Sequence, residues 1–152
     1  MKHPIVFISL LIPFFITACS GTYQSGDMYK CDGRQCIVVS VNADGSPAMC
    51  VSLEEGEGMD AISAAVWAVL GEGWRLPTKE EIAVVRKYRS AINATLSKKG
   101  LPLLMENNTY YWTSTPCSES HTYACGPDGV RCYFSTNDGT AYRVRAVKII
   151  SN

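Results

Sequence analysis

The chain has 152 residues, 47% of them hydrophobic, with 14 basic and 14 acidic side chains that balance to a net charge of zero. That balance argues against nucleic acid as a partner, because binding phosphate needs a net basic face, although it leaves room for a local basic patch. The length suits one domain with a real core and falls short of two.

Met1-Lys2-His3 is a short positive start, followed by an apolar run from Ile5 to Ile16. The run is shorter than the roughly 20 residues a permanent membrane helix needs, and it fits the h-region of a secretory signal peptide. It ends in Ile16-Thr17-Ala18-Cys19, which resembles the lipobox of bacterial lipoproteins. The reading is a signal peptide over residues 1–18, lipidation at Cys19 and a lipid-anchored protein at the outer membrane, since Ser20 lacks the aspartate that holds many lipoproteins at the inner one. The periplasmic and extracellular faces both stay open. Cleavage before Cys19 removes Lys2 and leaves residues 19–152 with a net charge of −1.

Residues 19–27 are small and polar and read as a tether, with the domain spanning 28–152. Cys36 to Val41 is a strand rich in branched residues, Asn42 to Pro47 carries an Asp-Gly turn, and Ala48 to Leu53 returns as a second strand. Glu54-Glu55-Gly56-Glu57-Gly58 reads as a solvated acidic loop. A first helix covers Met59 to Leu70, with Ile62, Ala65, Val66, Val69 and Leu70 at helical spacing and Gly71 as its stop. A second starts at the capping box Thr78/Glu81 and runs to Lys98-Lys99-Gly100, with Ile82, Val85, Ile92 and Leu96 inward. Tyr110 to Thr115 is a strand and 116–131 a long loop. Cys132 to Ser135 and Ala141 to Ile150 are strands joined through Asn137-Asp138-Gly139-Thr140. The order gives an α+β domain of two helices on small antiparallel sheets.

Six cysteines remain in the mature chain: Cys31, Cys36, Cys50, Cys117, Cys125 and Cys132. An even number in an exported chain predicts up to three disulfides, with 15 pairings open. Cys31–Cys36, across an expected hairpin tip, is the favoured one. Zinc spacing is absent: there is no Cys-x-x-Cys pair, and His121 is the mature chain's single histidine.

Three ordered motifs carry a family resemblance. Gly73-Trp74-Arg75-Leu76-Pro77-Thr78 precedes a capped helix, Tyr111-Trp112-Thr113-Ser114-Thr115 follows, and Tyr142-Arg143-Val144-Arg145-Ala146-Val147 closes the chain. From about Tyr29 to Ile150 the chain resembles the C-terminal domain of the collagen-like adhesin family and the Fibrobacter-type major paralogous domains. Both are similar to C-type-lectin-like and formylglycine-generating-enzyme-like domains. The cysteine load departs from many members. Physically, Trp74 and Trp112 read as buried anchors that park their indole N–H groups on carbonyls. Arg75, Arg143 and Arg145 read as planar clamps for carboxylates or carbonyls.

The resemblance implies a non-enzymatic binding or adhesion module for a glycan or a protein partner, with no cofactor. Two surfaces are candidates: basic Arg86, Lys87 and Arg89, with Lys98 and Lys99, for sulfated glycans, and aromatic Tyr123 and Tyr133, near Tyr110 and Tyr142, for stacking on sugar or peptide. Calcium-dependent sugar binding is also implied, through Asn137-Asp138 with Glu119 and Asp128, but neither Glu-Pro-Asn nor Gln-Pro-Asp is present, and no metal site is expected. The alternatives are an oxidase of the formylglycine-generating type, with Cys125 and Cys132 as its reactive pair, and a purely structural subunit of a surface assembly.

Overall fold

A computed structural model describes residues 21–134 and 142–151, with backbone alone for Phe134. The signal segment, Cys19 and the Asn137–Thr140 turn lie outside the described residues. Among the described residues nine strands and three helices follow in the order β1 Met28–Cys31, β2 Arg34–Val41, β3 Pro47–Ser52, β4 Gly56–Glu57, α1 Ala61–Trp67, α2 Lys79–Lys87, α3 Arg89–Lys98, β5 Tyr110–Pro116, β6 His121–Gly126, β7 Gly129–Phe134, β8 Tyr142–Val144 and β9 Val147–Ile149. They build a four-stranded sheet, β1-β2-β3-β9, and a five-stranded sheet, β4-β8-β5-β6-β7. Every ladder is antiparallel except β5 with β8. The chain is α+β, as its pattern predicts.

Strand parity divides the core in two. In β2, Ile37 and Val39 join Ile82, Val85, Ile92 and Leu96 of α2 and α3, together with Tyr111 and Cys125. Cys36 and Val38 point the other way, to Ala61, Ala64, Ala68, Trp74 and Trp112. A strand buried on both faces reads as a continuous apolar run, which is how Cys36 to Val39 reads.

Four expectations need correction. The long second helix is two, broken at Tyr88, whose φ of −99° and ψ of 11° leave the helical region; no proline or glycine marks the break. The first helix is shorter than expected and rotated. It buries Ala61, Ala64 and Ala68, while Ile62, Val66 and Val69 are 77%, 73% and 66% exposed. Alanines let its backbone approach the sheet, where larger side chains would hold it off.

The segment 116–131 is largely a β-hairpin, with His121 facing Phe134 and Gly126 facing Gly129. Its alternation is hidden by Ser, His and Gly, residues that usually signal turns. The terminal strands do not form the expected hairpin either. β8 lies between β4 and β5, so neither of its edges is open to β7. The chain then changes sheets at Arg145-Ala146, and β9 pairs with β3.

Candidate functional site

The three motifs meet in space. Arg75 bridges to Val147 through two backbone hydrogen bonds of 3.1 and 2.8 Å. The Ser114 N–H donates to the Pro77 carbonyl (2.8 Å), and the Lys79 N–H donates to Thr115 Oγ1 (3.1 Å). Thr78 and Glu81 form the full capping box. The Arg75 guanidinium then clamps both Glu81 oxygens at 2.7 Å, and that bond, opposed by partial burial, holds the Glu81 carboxyl below its ordinary range. Trp74 is buried, and Trp112 Nε1 donates to the Met59 carbonyl at 2.8 Å. The WRLPT segment is therefore a core-and-cap device.

The acidic loop is not solvated along its whole length. The Glu55 side chain is only 4% exposed and lies between two arginines. Its Oε2 accepts from Arg145 Nε (2.9 Å) and the Tyr111 hydroxyl (2.6 Å), and its Oε1 accepts from Arg143 Nη1 (2.6 Å). Arg145 also donates to the carbonyls of Ser52, Leu53 and Pro102. Burial, with Glu55 alongside, pushes the Tyr111 phenol far up. The buried Glu55 carboxylate was not separable in the sequence from its exposed neighbours Glu54 and Glu57. This cluster locks the junction between the sheets, and each of the three Arg145 guanidinium nitrogens donates to a protein atom.

The face most suited to a ligand is aromatic. Tyr110 and Trp112 of β5, Tyr133 of β7 and Tyr142 of β8 share one sheet face by register. Tyr142 stacks on Trp112, with centroids 4.5 Å apart and planes at 16°. Tyr110 and Tyr133 lie 5.1 Å apart, and Tyr133 and Tyr142 5.4 Å apart. Trp112 is fully buried and the three tyrosines are half-buried, so the tryptophan floors a patch of tyrosine rings. Burial and a hydrogen bond with Tyr110 push the Tyr133 phenol up. Gly126 permits this packing: a Cβ there would come within 2.5 Å of the Tyr110 ring.

The other candidate residues scatter. Tyr123 pairs with Cys132, one position out of step with Tyr133, so it points to the opposite face of the sheet. There its ring lies under Lys79 Nζ, 5.0 Å from the centroid. Tyr123 and Tyr133 therefore cannot line one site. Arg86 is tied to the Pro127 carbonyl at 2.8 and 3.3 Å, and Lys87 sits over the Tyr88 ring. Arg89 buries Nη1 with no hydrogen-bond partner among the described residues. The basic surface is in part spent on the fold.

The cysteine expectations change most. Cys117 and Cys132 form a disulfide, with Cα atoms 6.2 Å apart, tying the β5–β6 turn to β7. Cys31, Cys36, Cys50 and Cys125 are thiols. The favoured Cys31–Cys36 bridge is absent: both are thiols, set diagonally on one sheet face rather than opposite each other, with Cys31 paired to Arg34 and Cys36 to Tyr29. The Cys31 thiol contacts the Asp32 carboxylate, and the Cys36 thiol the Tyr29 carbonyl. The reactive pair imagined for the oxidase reading does not exist here, since Cys132 is bonded to Cys117. Cys125 is buried, and burial pushes its thiol up to about 11. Asp128, one of the calcium candidates, pairs with Arg131 at 2.6 Å. His121 Nδ1 lies 3.0 Å from Ser118 Oγ and 2.9 Å from Ser120 Oγ, in local turn contacts.

No protein-family model matches the chain, and no curated protein matches it in sequence.

Proposed function

We propose that this is a lipid-anchored cell-envelope binding module with a C-type-lectin-like fold, akin to the collagen-like adhesin C-terminal domains, that holds a glycan on its tyrosine patch. The observation that carries the reading is the cluster of Tyr110, Tyr133 and Tyr142 over Trp112. Rigid, half-exposed aromatic rings offer large contact area at small entropic cost, and their hydroxyls add polar handles. The meeting of the WRLPT, YYWTST and VRAV segments at one junction supports the lectin-like reading.

A glycan array that includes sulfated polysaccharides, run with and without calcium and at two salt concentrations, tests this. Tyr133→Ala should weaken binding about tenfold or more, the loss of a central aromatic anchor, with little dependence on salt. The triple change Arg86→Ser, Lys87→Ser and Arg89→Ser should leave that binding largely intact. Salt-sensitive binding lost in the triple variant instead would move the site to the helix face. Silence across the array would favour a protein partner.

The anchor is tested separately. Labelled palmitate should be incorporated into the full chain and lost in Cys19→Ala. Incorporation that survives the change would defeat the lipoprotein reading.

A further inference from the structure

Three of the thiols form a row. Cys31 shares a sheet face with Arg34 and therefore with Cys36, which is opposite Tyr29. Cys36 faces Ser52 on β3, so Cys50, two residues earlier, shares that face too. Next to Cys50, on β9, comes Lys148. The row runs diagonally from half-buried Cys31 to fully buried Cys36 and Cys50. Cys31 and Lys148 line a surface cavity of about 500 Å³ with Tyr29, Asp32, Glu72 and Gly73. Cys125 belongs to the other core, among the side chains of α2 and α3, and cannot join the row.

We propose that Cys36 and Cys50 form a second disulfide across β2 and β3, and that Cys31, at the cavity, is the thiol through which a disulfide oxidant reaches them.

Thiol–disulfide exchange proceeds by attack of a thiolate on a disulfide sulfur. The Cys31 thiolate attacks an external disulfide, RS–SR, forming Cys31–S–SR and releasing one RS⁻. Cys36 attacks the Cys31 sulfur, releasing the second RS⁻ and leaving a transient Cys31–Cys36 bond. Cys50 attacks Cys36, forming Cys36–Cys50 and returning Cys31 as a thiol. Two protein thiols are oxidised, RS–SR is reduced, and the two protons leave on two RSH. Access sets the first step: burial and the Asp32 contact push the Cys31 thiol up, with Lys148 drawing it down, but Cys31 is the thiol of the three that lines the cavity. The Cys36 and Cys50 thiols share a hydrogen bond that pushes Cys50 well up, aided by burial, and draws Cys36 down despite it. Cys36 is therefore the better nucleophile of the buried pair. Three thiols in a row can hold one bond, so one always remains. In the oxidised state it is Cys31, open to a further exchange partner at the cavity.

The reading stands apart from the proposed glycan binding and is tested on the full chain. The protein is reduced, treated with oxidised glutathione, denatured, alkylated and digested with trypsin. Cleavage after Lys30, Arg34 and Arg75 places Cys31 alone on one peptide and Cys36 with Cys50 on another. The expected product is an alkylated Cys31 peptide beside a 35–75 peptide two mass units light, whose Cys36 and Cys50 fragments stay linked after cleavage at Asp44 and Asp60. Alkylated Cys36 and Cys50, or a final link to Cys31, would overturn the pairing. Cys31→Ser should slow bond formation at least about tenfold while reaching the same end state, and an unchanged rate would overturn the entry role. Cys36→Ser should trap glutathione on Cys31. A variant that takes up no glutathione there would equally remove Cys31 as the entry thiol.

Discussion

Replacing Glu55 with alanine is expected to destabilise the protein by about 3–5 kcal/mol, the usual effect of removing one partner of a buried ion pair. In a domain of this size that corresponds to a fall in Tm of roughly 10–20 °C. Arg145 is 1% exposed, and three carbonyls accept from its guanidinium, but Glu55 is its ion-pair partner. Without that carboxylate the guanidinium keeps its carbonyl hydrogen bonds but loses the one from Nε together with its charge compensation. The Tyr111 hydroxyl and Arg143 lose an acceptor in the same step. Glu55→Gln keeps the shape and one acceptor oxygen, and should lie between alanine and wild type. Tyr111→Phe removes a single hydroxyl and should cost about 1–2 kcal/mol. Urea unfolding of the three variants checks the order. A Glu55→Ala protein within about 1 kcal/mol of wild type would mean that the junction at Arg145 is held by its carbonyl contacts alone.

The sequence was most legible where local chemistry and tertiary structure agree. The Thr78/Glu81 box caps its helix because the cap is satisfied within four residues, and nothing distant competes with it. The β-branched run Ile37-Val38-Val39 marks a strand wherever it pairs. Elements that depend on a distant partner were not legible. Ile62, Val66 and Val69 carry the stronger helical stripe, yet the sheet selects the alanine face because only small side chains fit against Trp74, Trp112 and Val144. Arg143 pairs with Glu57 as well, so what sets Glu55 apart from Glu54 and Glu57 is Arg145 and the Tyr111 hydroxyl, 90 and 56 residues away. Tyr123 and Tyr133 fall on opposite faces because of a hairpin register hidden by the Ser- and Gly-rich composition of 116–131. Cysteine count predicted that bridges exist, but pairing is a matter of register, and register is fixed by strands on either side of a turn.

Trp112→Ala should have an effect of similar size on stability and a second effect on binding. The side chain is fully buried, so its removal leaves a large cavity, at about 3–5 kcal/mol. The Met59 carbonyl, ahead of α1, loses its donor. Tyr142 loses the ring it stacks on, and Tyr133 loses its footing through Tyr142. Trp112→Phe keeps an aromatic floor but no N–H, and should cost roughly 1–3 kcal/mol. The two positions separate architecture from recognition. Tyr133→Ala, which removes a half-exposed ring of the patch, should reduce glycan binding while leaving Tm within a few degrees of wild type. Trp112→Phe should lower Tm while largely preserving binding at temperatures where the protein remains folded, because the tyrosines still have a ring beneath them. Thermal unfolding paired with a binding isotherm for each variant decides the matter. If Trp112→Phe abolishes binding in a folded protein and Tyr133→Ala does not, the ligand does not sit on the tyrosine patch.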